Sequence, residues 1–183
     1  MNGVRVDAPF PVGHPRRPIA AVALSPMGVN TTGLYDTAPG EDDNAKDHSW
    51  AGLVDIPVIT LTGDGDNHCK PSRFVCSESD SGSRRMTPFA RMPAGGKSLT
   101  KYLMYIDDRK TDAIVSSHEM FGDFTSPVCA GNVAQCELTR TLIKSTVIAF
   151  LDAHVLNVRS AKNWLQTNKI AKASKGIANV SWK

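Results

Sequence analysis

The sequence lacks the features that mark membrane proteins and small disulfide-rich proteins. Its longest apolar run, residues 19–24, has six residues, whereas a membrane-spanning helix needs roughly 20. Only four cysteines occur among 183 residues, and no two of them have the C-x-x-C spacing of zinc ribbons and thioredoxin-like redox motifs. We therefore expect no membrane span and no small disulfide scaffold.

Acidic residues are missing from the end of the chain. From Arg159 onward the sequence has six lysines and arginines and no aspartate or glutamate. A basic segment can contact nucleic acid, but no series of aromatic residues is interleaved here to stack on bases. We interpret these charges as a solvated helical face and do not expect nucleic acid as a partner. Residues 158–183 are predicted to be a basic extension with a short helix at 161–165 and a frayed end.

Strand-like and helix-like segments alternate in the rest of the chain. Residues 1–18 contain four prolines and have no period, which predicts a loop or a disordered arm. The first strand is an apolar run of the kind that is buried on both faces of a parallel sheet. Strands are predicted at residues 19–25, 56–62 and 101–107.

Helical periodicity is clearest late in the chain. Apolar residues at spacings of three and four predict a long helix over residues 138–156. Shorter helices are predicted at 49–53 and at 83–92, the latter broken at Pro88. The alternation predicts an α/β fold with a mostly parallel sheet and flanking helices, in a main domain of residues 19–157.

Two polar residues follow the second and third predicted strands. Asp66 comes four residues after the second strand, and His118 lies in the loop region after the third. Functional groups gather at the carboxyl ends of strands in open α/β sheets, so these side chains could form an Asp–His pair. The acid would fix the tautomer of the ring and stabilise the imidazolium when His118 takes a proton. A helix-capping aspartate and a surface histidine are the structural alternatives.

Four segments in order also carry a family resemblance. They read AAVALSP at residues 20–26, IPVITLTGDGD at 56–66, HEMFG at 118–122 and AFLDAH at 149–154. Together they resemble the C-terminal half of an α/β-hydrolase, in its esterase, dienelactone-hydrolase and acetylhydrolase-like branches. The resemblance implies a partial α/β-hydrolase fold built on the last three strands, with Asp66 as the triad acid and His118 as the triad histidine. It also implies a small-molecule ester as substrate and no metal or organic cofactor.

The nucleophile of that family has no counterpart in the sequence. The family places it on a Gly-x-Ser-x-Gly elbow, and no serine or cysteine here has glycine at both −2 and +2. We therefore expect the C-terminal part of a serine hydrolase, inactive as an isolated chain. The alternative is a non-catalytic remnant that acts as a binding or interaction module. The apolar first strand, with no strand before it to pair with, predicts self-association through its exposed edge.

A metal site is a third hypothesis. Mixed oxygen, nitrogen and sulfur donors that suit a transition metal occur close together at Asp64, Asp66, His68 and Cys69. Adjacent residues rarely converge on one ion, however, so we expect no metal.

The cysteines fall into two local pairs, Cys69/Cys76 and Cys129/Cys136. Each pair could close as a disulfide in an oxidising compartment, or its thiols could stay reduced. No convincing signal peptide precedes the first strand, which favours a cytoplasmic location.

Overall fold

A four-stranded sheet forms the centre of the molecule. The computed structural model describes residues 19–26, 56–66, 84–94, 100–111, 114–122 and 132–183. Within these ranges the strands lie in the order β1-β2-β3-β4; the first three are parallel and β4 is antiparallel to β3. Their bounds are Ala21–Leu24 for β1, Val58–Gly63 for β2, Lys101–Ile106 for β3 and Ala178–Trp182 for β4. The predicted α/β class is confirmed, and the sheet is mixed.

Helices flank this sheet. In the described ranges they are α1 (Thr87–Arg91), α2 (His118–Gly122), α3 (Val133–His154), α4 (Arg159–Leu165) and α5 (Lys169–Ala173), and a 3-10 turn, Arg84–Met86, precedes α1. None of these helices is long and apolar enough to cross a bilayer. The predicted arm at 1–18 and the predicted helix at 49–53 lie outside the described residues.

Local capping explains two differences from the predicted helices. Pro88 lies in the first turn of α1, where its missing N–H breaks no helical hydrogen bond, so the predicted break there is wrong. The long helix begins at Val133 and not at 138. Asn132 caps it by accepting a hydrogen bond from the backbone N–H of Gln135 at 3.1 Å, ahead of the regular apolar spacing.

The central strands and the long helix form the core. All six residues of β2 are buried. On one face, Ile59 is in register with Tyr102, and both belong to the cluster of buried residues that includes Phe150 of α3. The rings of Tyr102 and Phe150 meet edge to face, with centroids 5.9 Å apart, a favoured arrangement for buried aromatic pairs.

The first strand is less buried than its sequence predicts. In the described part of the sheet, β1 is an edge strand with β2 on one side. Its first three residues are half-buried, and Leu24 is 41% exposed. The prediction of a strand buried on both faces is therefore wrong, because an apolar run records which residues tolerate burial and not whether a second neighbour covers them.

The end of the chain is folded, which corrects the predicted fraying. The predicted helix at 161–165 is confirmed within α4, but α5 and β4 follow it. Ser174 joins these two elements, because its Oγ accepts from the backbone N–H of Ala178 at 3.0 Å. Buried Ile170 and Ile177 anchor the segment in the core region. Because lysines surround these few apolar residues in the sequence, a local pattern does not reveal that they are buried.

Candidate functional site

Asp66 occupies the turn that follows β2. Its backbone N–H donates to the carbonyl oxygen of Gly63 at 3.1 Å, which closes the turn, and its side chain is fully buried. Thr62, at the end of β2, donates its hydroxyl to Asp66 Oδ2 at 2.7 Å. Burying a carboxylate costs free energy unless hydrogen bonds or a cation compensate it. The hydroxyl of Thr62 supplies one such hydrogen bond.

His118 is the first residue of α2, and the structure brings it to Asp66. Its Nδ1 lies 3.2 Å from Oδ1 of Asp66, and a third of the His118 side chain is exposed (33%). The two residues are 52 positions apart in sequence, and they meet because their segments leave parallel strands at the same edge of the sheet. The sequence predicted this proximity, although it placed His118 in a loop and not at the start of a helix.

Hydrogen bonds connect the turn that carries Asp66 to the segment that leads into His118. The backbone N–H of Gly65 donates to Ser116 Oγ at 2.8 Å, and that hydroxyl donates to Asp108 Oδ2 at 2.8 Å. A Cβ at Gly65 would lie 2.5 Å from the Asp108 carboxylate, so a larger residue here would force that side chain to shift. Burial raises the pKa of Asp108, and the hydrogen bond from Ser116 partly offsets that rise.

Ser25 completes a three-residue contact that sequence reasoning missed. It follows β1, and its Oγ lies 2.6 Å from Asp66 Oδ1 and 2.6 Å from His118 Nδ1. Its φ of 47° lies in the left-handed region, which non-glycine residues seldom adopt. A serine directly before a proline at the carboxyl end of an apolar run was the available signal. Neither flanking glycine nor any motif marks it.

Arg85 balances the charge of the buried acid. Its side chain is 1% exposed, and its Nε lies 3.3 Å from Asp66 Oδ1. Its Nη1 donates to both the carbonyl oxygen and the hydroxyl of Ser25, each at 2.9 Å. Because Arg85 is cationic and Asp66 anionic, the pair adds no net charge to the interior when both are ionised.

The contact of Ser25 with His118 differs from a serine–histidine–aspartate triad in three ways. In a triad, one ring nitrogen faces the acid and the other faces the nucleophile, whereas here Nδ1 contacts both Asp66 and Ser25. The residue after the nucleophile supplies a backbone N–H to the oxyanion hole, and Pro26 has none. Ser25 is also only 5% exposed. The site therefore has the arrangement of an acid–histidine pair with a supporting hydroxyl.

A second carboxylate in the same turn has other partners. Asp64 Oδ1 accepts from the hydroxyl of Tyr105 at 2.5 Å, and its Oδ2 lies 3.5 Å from Nε of Arg109. Burial, and then the bond to Asp64, raise the pKa of Tyr105. Arg109 also hydrogen-bonds Asp107 and holds the pKa of that carboxyl well below its usual range.

Among the described residues, the structure adds no further ligand to the hypothetical metal site at residues 64–69. His68 and Cys69 lie outside the described residues. Within the described ranges, no group of three or more histidine, cysteine, aspartate or glutamate side chains is placed to hold a metal ion. The carboxylates of Asp64 and Asp66, which both belong to the hypothetical set, bind different groups.

One cysteine falls in the described part of the chain. Cys136, which is buried in the first turns of α3, is disulfide-bonded. The other three cysteines lie outside the described residues. Each of the two predicted pairs, Cys69/Cys76 and Cys129/Cys136, therefore includes a residue outside the described ranges.

Fold and site together define an α/β protein in which a buried aspartate contacts a partly exposed histidine at the carboxyl edge of the parallel strands. Comparisons with protein-family models, curated proteins and solved structures find no match for the chain.

Proposed function

We propose that this chain is the C-terminal part of a serine hydrolase of carboxylic-ester type, in which Asp66 is the acid and His118 the general base. The contact of His118 Nδ1 with the buried carboxylate of Asp66 at 3.2 Å carries the proposal. A hydrolase needs this geometry because the acid must fix the ring and stabilise its charged form. The partial α/β-hydrolase fold, which the sequence resemblance suggests, belongs to the same proposal.

The chemistry assigned to the pair is a two-way proton transfer. His118 would take a proton from a serine hydroxyl as that oxygen attacks the ester carbonyl, and would then give it to the departing alkoxide. Asp66 would stay ionised throughout and stabilise the imidazolium that forms. The attacking serine and the oxyanion donors are assigned to a segment outside these 183 residues, so we propose that the isolated chain hydrolyses esters at background rates.

A longer reading frame provides the test. The coding DNA before Met1 is read for an in-frame Gly-x-Ser-x-Gly, and the extended protein is assayed with a p-nitrophenyl ester. We expect turnover in the extended protein, and His118→Gln or Asp66→Asn should lower kcat by about 10⁴-fold. His154→Gln is the matched control, because this histidine lies on α3 and contacts Tyr102; it should leave kcat unchanged. Equal turnover in His118→Gln would refute the proposal.

A covalent probe tests whether the chain carries a nucleophile of its own. The isolated chain is treated with a fluorophosphonate, and labelled peptides are identified by mass spectrometry. The shared ring nitrogen and Pro26 both argue against attack by Ser25, so we expect no label there. A label on Ser25 that disappears in His118→Gln would move the nucleophile into this chain and contradict the assignment above.

A binding module is the second candidate function. The observation that favours it is the position of β1 at the edge of the described sheet, with Leu24 41% exposed and the neighbouring Ile19 64% exposed. Unpaired edge strands readily add a further strand. An upstream reading frame without a nucleophile elbow, together with an inert Ser25, would favour this function over the hydrolase.

A further inference from the structure

The hydroxyl of Ser25 has all of its hydrogen-bonding positions filled at the site. It donates to Asp66 Oδ1 at 2.6 Å and accepts from Nη1 of Arg85 at 2.9 Å. Its third neighbour is Nδ1 of His118, at 2.6 Å. A hydroxyl has one proton to donate and two lone pairs to accept with. An ionised carboxylate can only accept, so the single proton of Ser25 is assigned to Asp66, and Nδ1 is then the donor in the contact with His118.

We propose that Ser25 is a positioning residue whose hydroxyl links the Asp66 carboxylate to Nδ1 of His118 and keeps the ring in its Nδ1–H tautomer. The lone pair is then on Nε2. The inference rests on the proposed function, in which the basic nitrogen must face the nucleophile and not the acid. In a neutral imidazole, the hydrogen bond made by one nitrogen decides which tautomer is present.

The distances favour the path through the hydroxyl. The direct separation of Nδ1 and Asp66 Oδ1 is 3.2 Å, which is longer than the roughly 2.7–2.9 Å of a strong hydrogen bond between a cationic nitrogen and a carboxylate. Both steps through Ser25 are 2.6 Å. The acid therefore acts on the imidazole mainly through the serine, and the direct contact is the weaker of the two.

Hydrogen bonds hold the backbone of Ser25 on both sides. Its N–H donates to the carbonyl oxygen of Leu61 in β2 at 2.8 Å, and its carbonyl oxygen accepts from Arg85 at 2.9 Å. With φ at 47°, the chain leaves β1 in a left-handed turn. A strained residue that is held from both sides by hydrogen bonds is typical of functional sites.

Nitrogen-15 NMR of the full chain, labelled at histidine, measures the tautomer directly. His118→Gln assigns the signals, and spectra are recorded at a pH above the ordinary histidine range, where neutral rings predominate. In the unsubstituted chain we expect His118 to carry its proton on Nδ1. Ser25→Ala should lower the ratio of Nδ1–H to Nε2–H by roughly tenfold, the effect of removing one hydrogen bond within a charged network.

Two further variants separate this role from a structural one. Ser25→Gly also removes the hydroxyl but suits a positive φ. It should lower the ratio of Nδ1–H to Nε2–H as Ser25→Ala does, and it provides the measurement if the alanine variant does not fold. Ser117→Ala removes a neighbouring buried hydroxyl that has no hydrogen-bond partner in the described part of the chain, and should leave the ratio unchanged.

A proton on Nε2 in the unsubstituted chain, or an unaltered ratio in both Ser25 variants, would overturn the proposal. Ester turnover plays no part in this measurement. An unaltered ratio in both Ser25 variants overturns the role of Ser25 alone, whereas a proton on Nε2 also removes the basic nitrogen that the proposed hydrolase needs.

Discussion

At the scale of single residues, the buried pair of Arg85 and Asp66 holds the site together. Arg85 contacts the acid through Nε and Ser25 through Nη1, so a single guanidinium orders two of the groups around His118. Neither partner has more than 1% of its side chain exposed. Removing Arg85 leaves the Asp66 carboxylate in the interior without this cation, which is far more destabilising than the pair is stabilising.

We predict that Arg85→Met lowers the free energy of unfolding by about 3–5 kcal/mol, because the Asp66 carboxylate stays buried without its cation. Urea denaturation measures the loss. Asp66→Asn combined with Arg85→Met should cost clearly less than the sum of the two single changes, since the double variant buries no lone charge.

Arg109→Met is the matched control. This arginine also pairs with aspartates but is 78% exposed, so its removal should produce little measurable change. Strictly additive effects of the Arg85 and Asp66 substitutions would show that the two charges do not interact, which would contradict this account of the site.

Of the four residues at the site, the sequence predicts two, Asp66 and His118, for a clear physical reason. Asp66 and His118 each follow a strand, and parallel strands bring such positions to one edge. Ser25 and Arg85 have no comparable signal, because Arg85 reaches the site from a short turn 60 positions away from Ser25. Which arginine a buried carboxylate recruits is decided by tertiary packing, and no local pattern encodes it.

At the scale of elements, the carboxyl end of α3 buries a titratable group against the sheet. The ring of His154 packs at a tilt of 46° against Phe150 with centroids 5.1 Å apart, and its Nε2 lies 3.1 Å from the hydroxyl of Tyr102. Burial, and to a lesser extent the charge of Lys162, lower the pKa of His154 from 6.5 to about 4. The folded protein thus disfavours the charged ring that the unfolded chain readily forms.

The sign of the resulting pH dependence follows from the lowered pKa. Between about pH 6.5 and pH 4 the unfolded chain binds a proton at His154 that the folded protein does not, so stability is lost as the pH falls through this window. Because the ring is only half buried, we expect a loss of about 1–2 kcal/mol after allowing for solvent screening. Urea denaturation at pH 7 and pH 4 measures it.

Two variants test the assignment to His154. His154→Gln should remove this part of the loss, because glutamine does not titrate. Lys162→Gln should retain most of it, since burial is the larger cause. The same loss in His154→Gln as in the unsubstituted chain would assign the pH dependence to other groups.

Elements with a clear apolar run or period were predictable from the sequence, and short elements without one were not. The three parallel strands and the long helix lie close to their predicted positions because apolar runs and spacings of three and four carry the signal. Strand β4 was missed, since its five residues, Ala178–Trp182, are mostly polar or exposed. Its pairing with β3 places it in the sheet, and such long-range pairing is invisible to a local pattern.

At the scale of the whole molecule, the sheet that the described residues form has a polar boundary on one side and an apolar one on the other. On the β4 side, Asn179, Ser181 and the terminal Lys183 interrupt the edge. On the β1 side, the residues are alanine, valine and leucine. Successive backbone N–H groups of a strand alternate in direction, and those of Ala21 and Ser25 donate to the strand β2 region. The N–H groups of Val22 and Leu24 therefore point away from β2.

A second copy of the chain fits the β1 edge by symmetry. Two-fold symmetry would place one β1 antiparallel to the other, so each outward N–H would meet an outward carbonyl. No charged residue lies within Ala21–Leu24 to oppose such pairing, and charges are the usual protection of exposed edges. This supports the self-association that the sequence predicts for the isolated chain.

We predict that the chain forms dimers or larger assemblies in size-exclusion chromatography with light scattering, and that Leu24→Lys shifts it to monomers. The lysine places a charge on the pairing edge, where two copies would bring like charges together. Ile148→Lys is the matched control, because this residue is 58% exposed but lies on α3, away from the edge. If both variants dissociate the assembly equally, general surface hydrophobicity is responsible, and a monomeric unsubstituted chain would show that the β1 edge does not recruit a second copy.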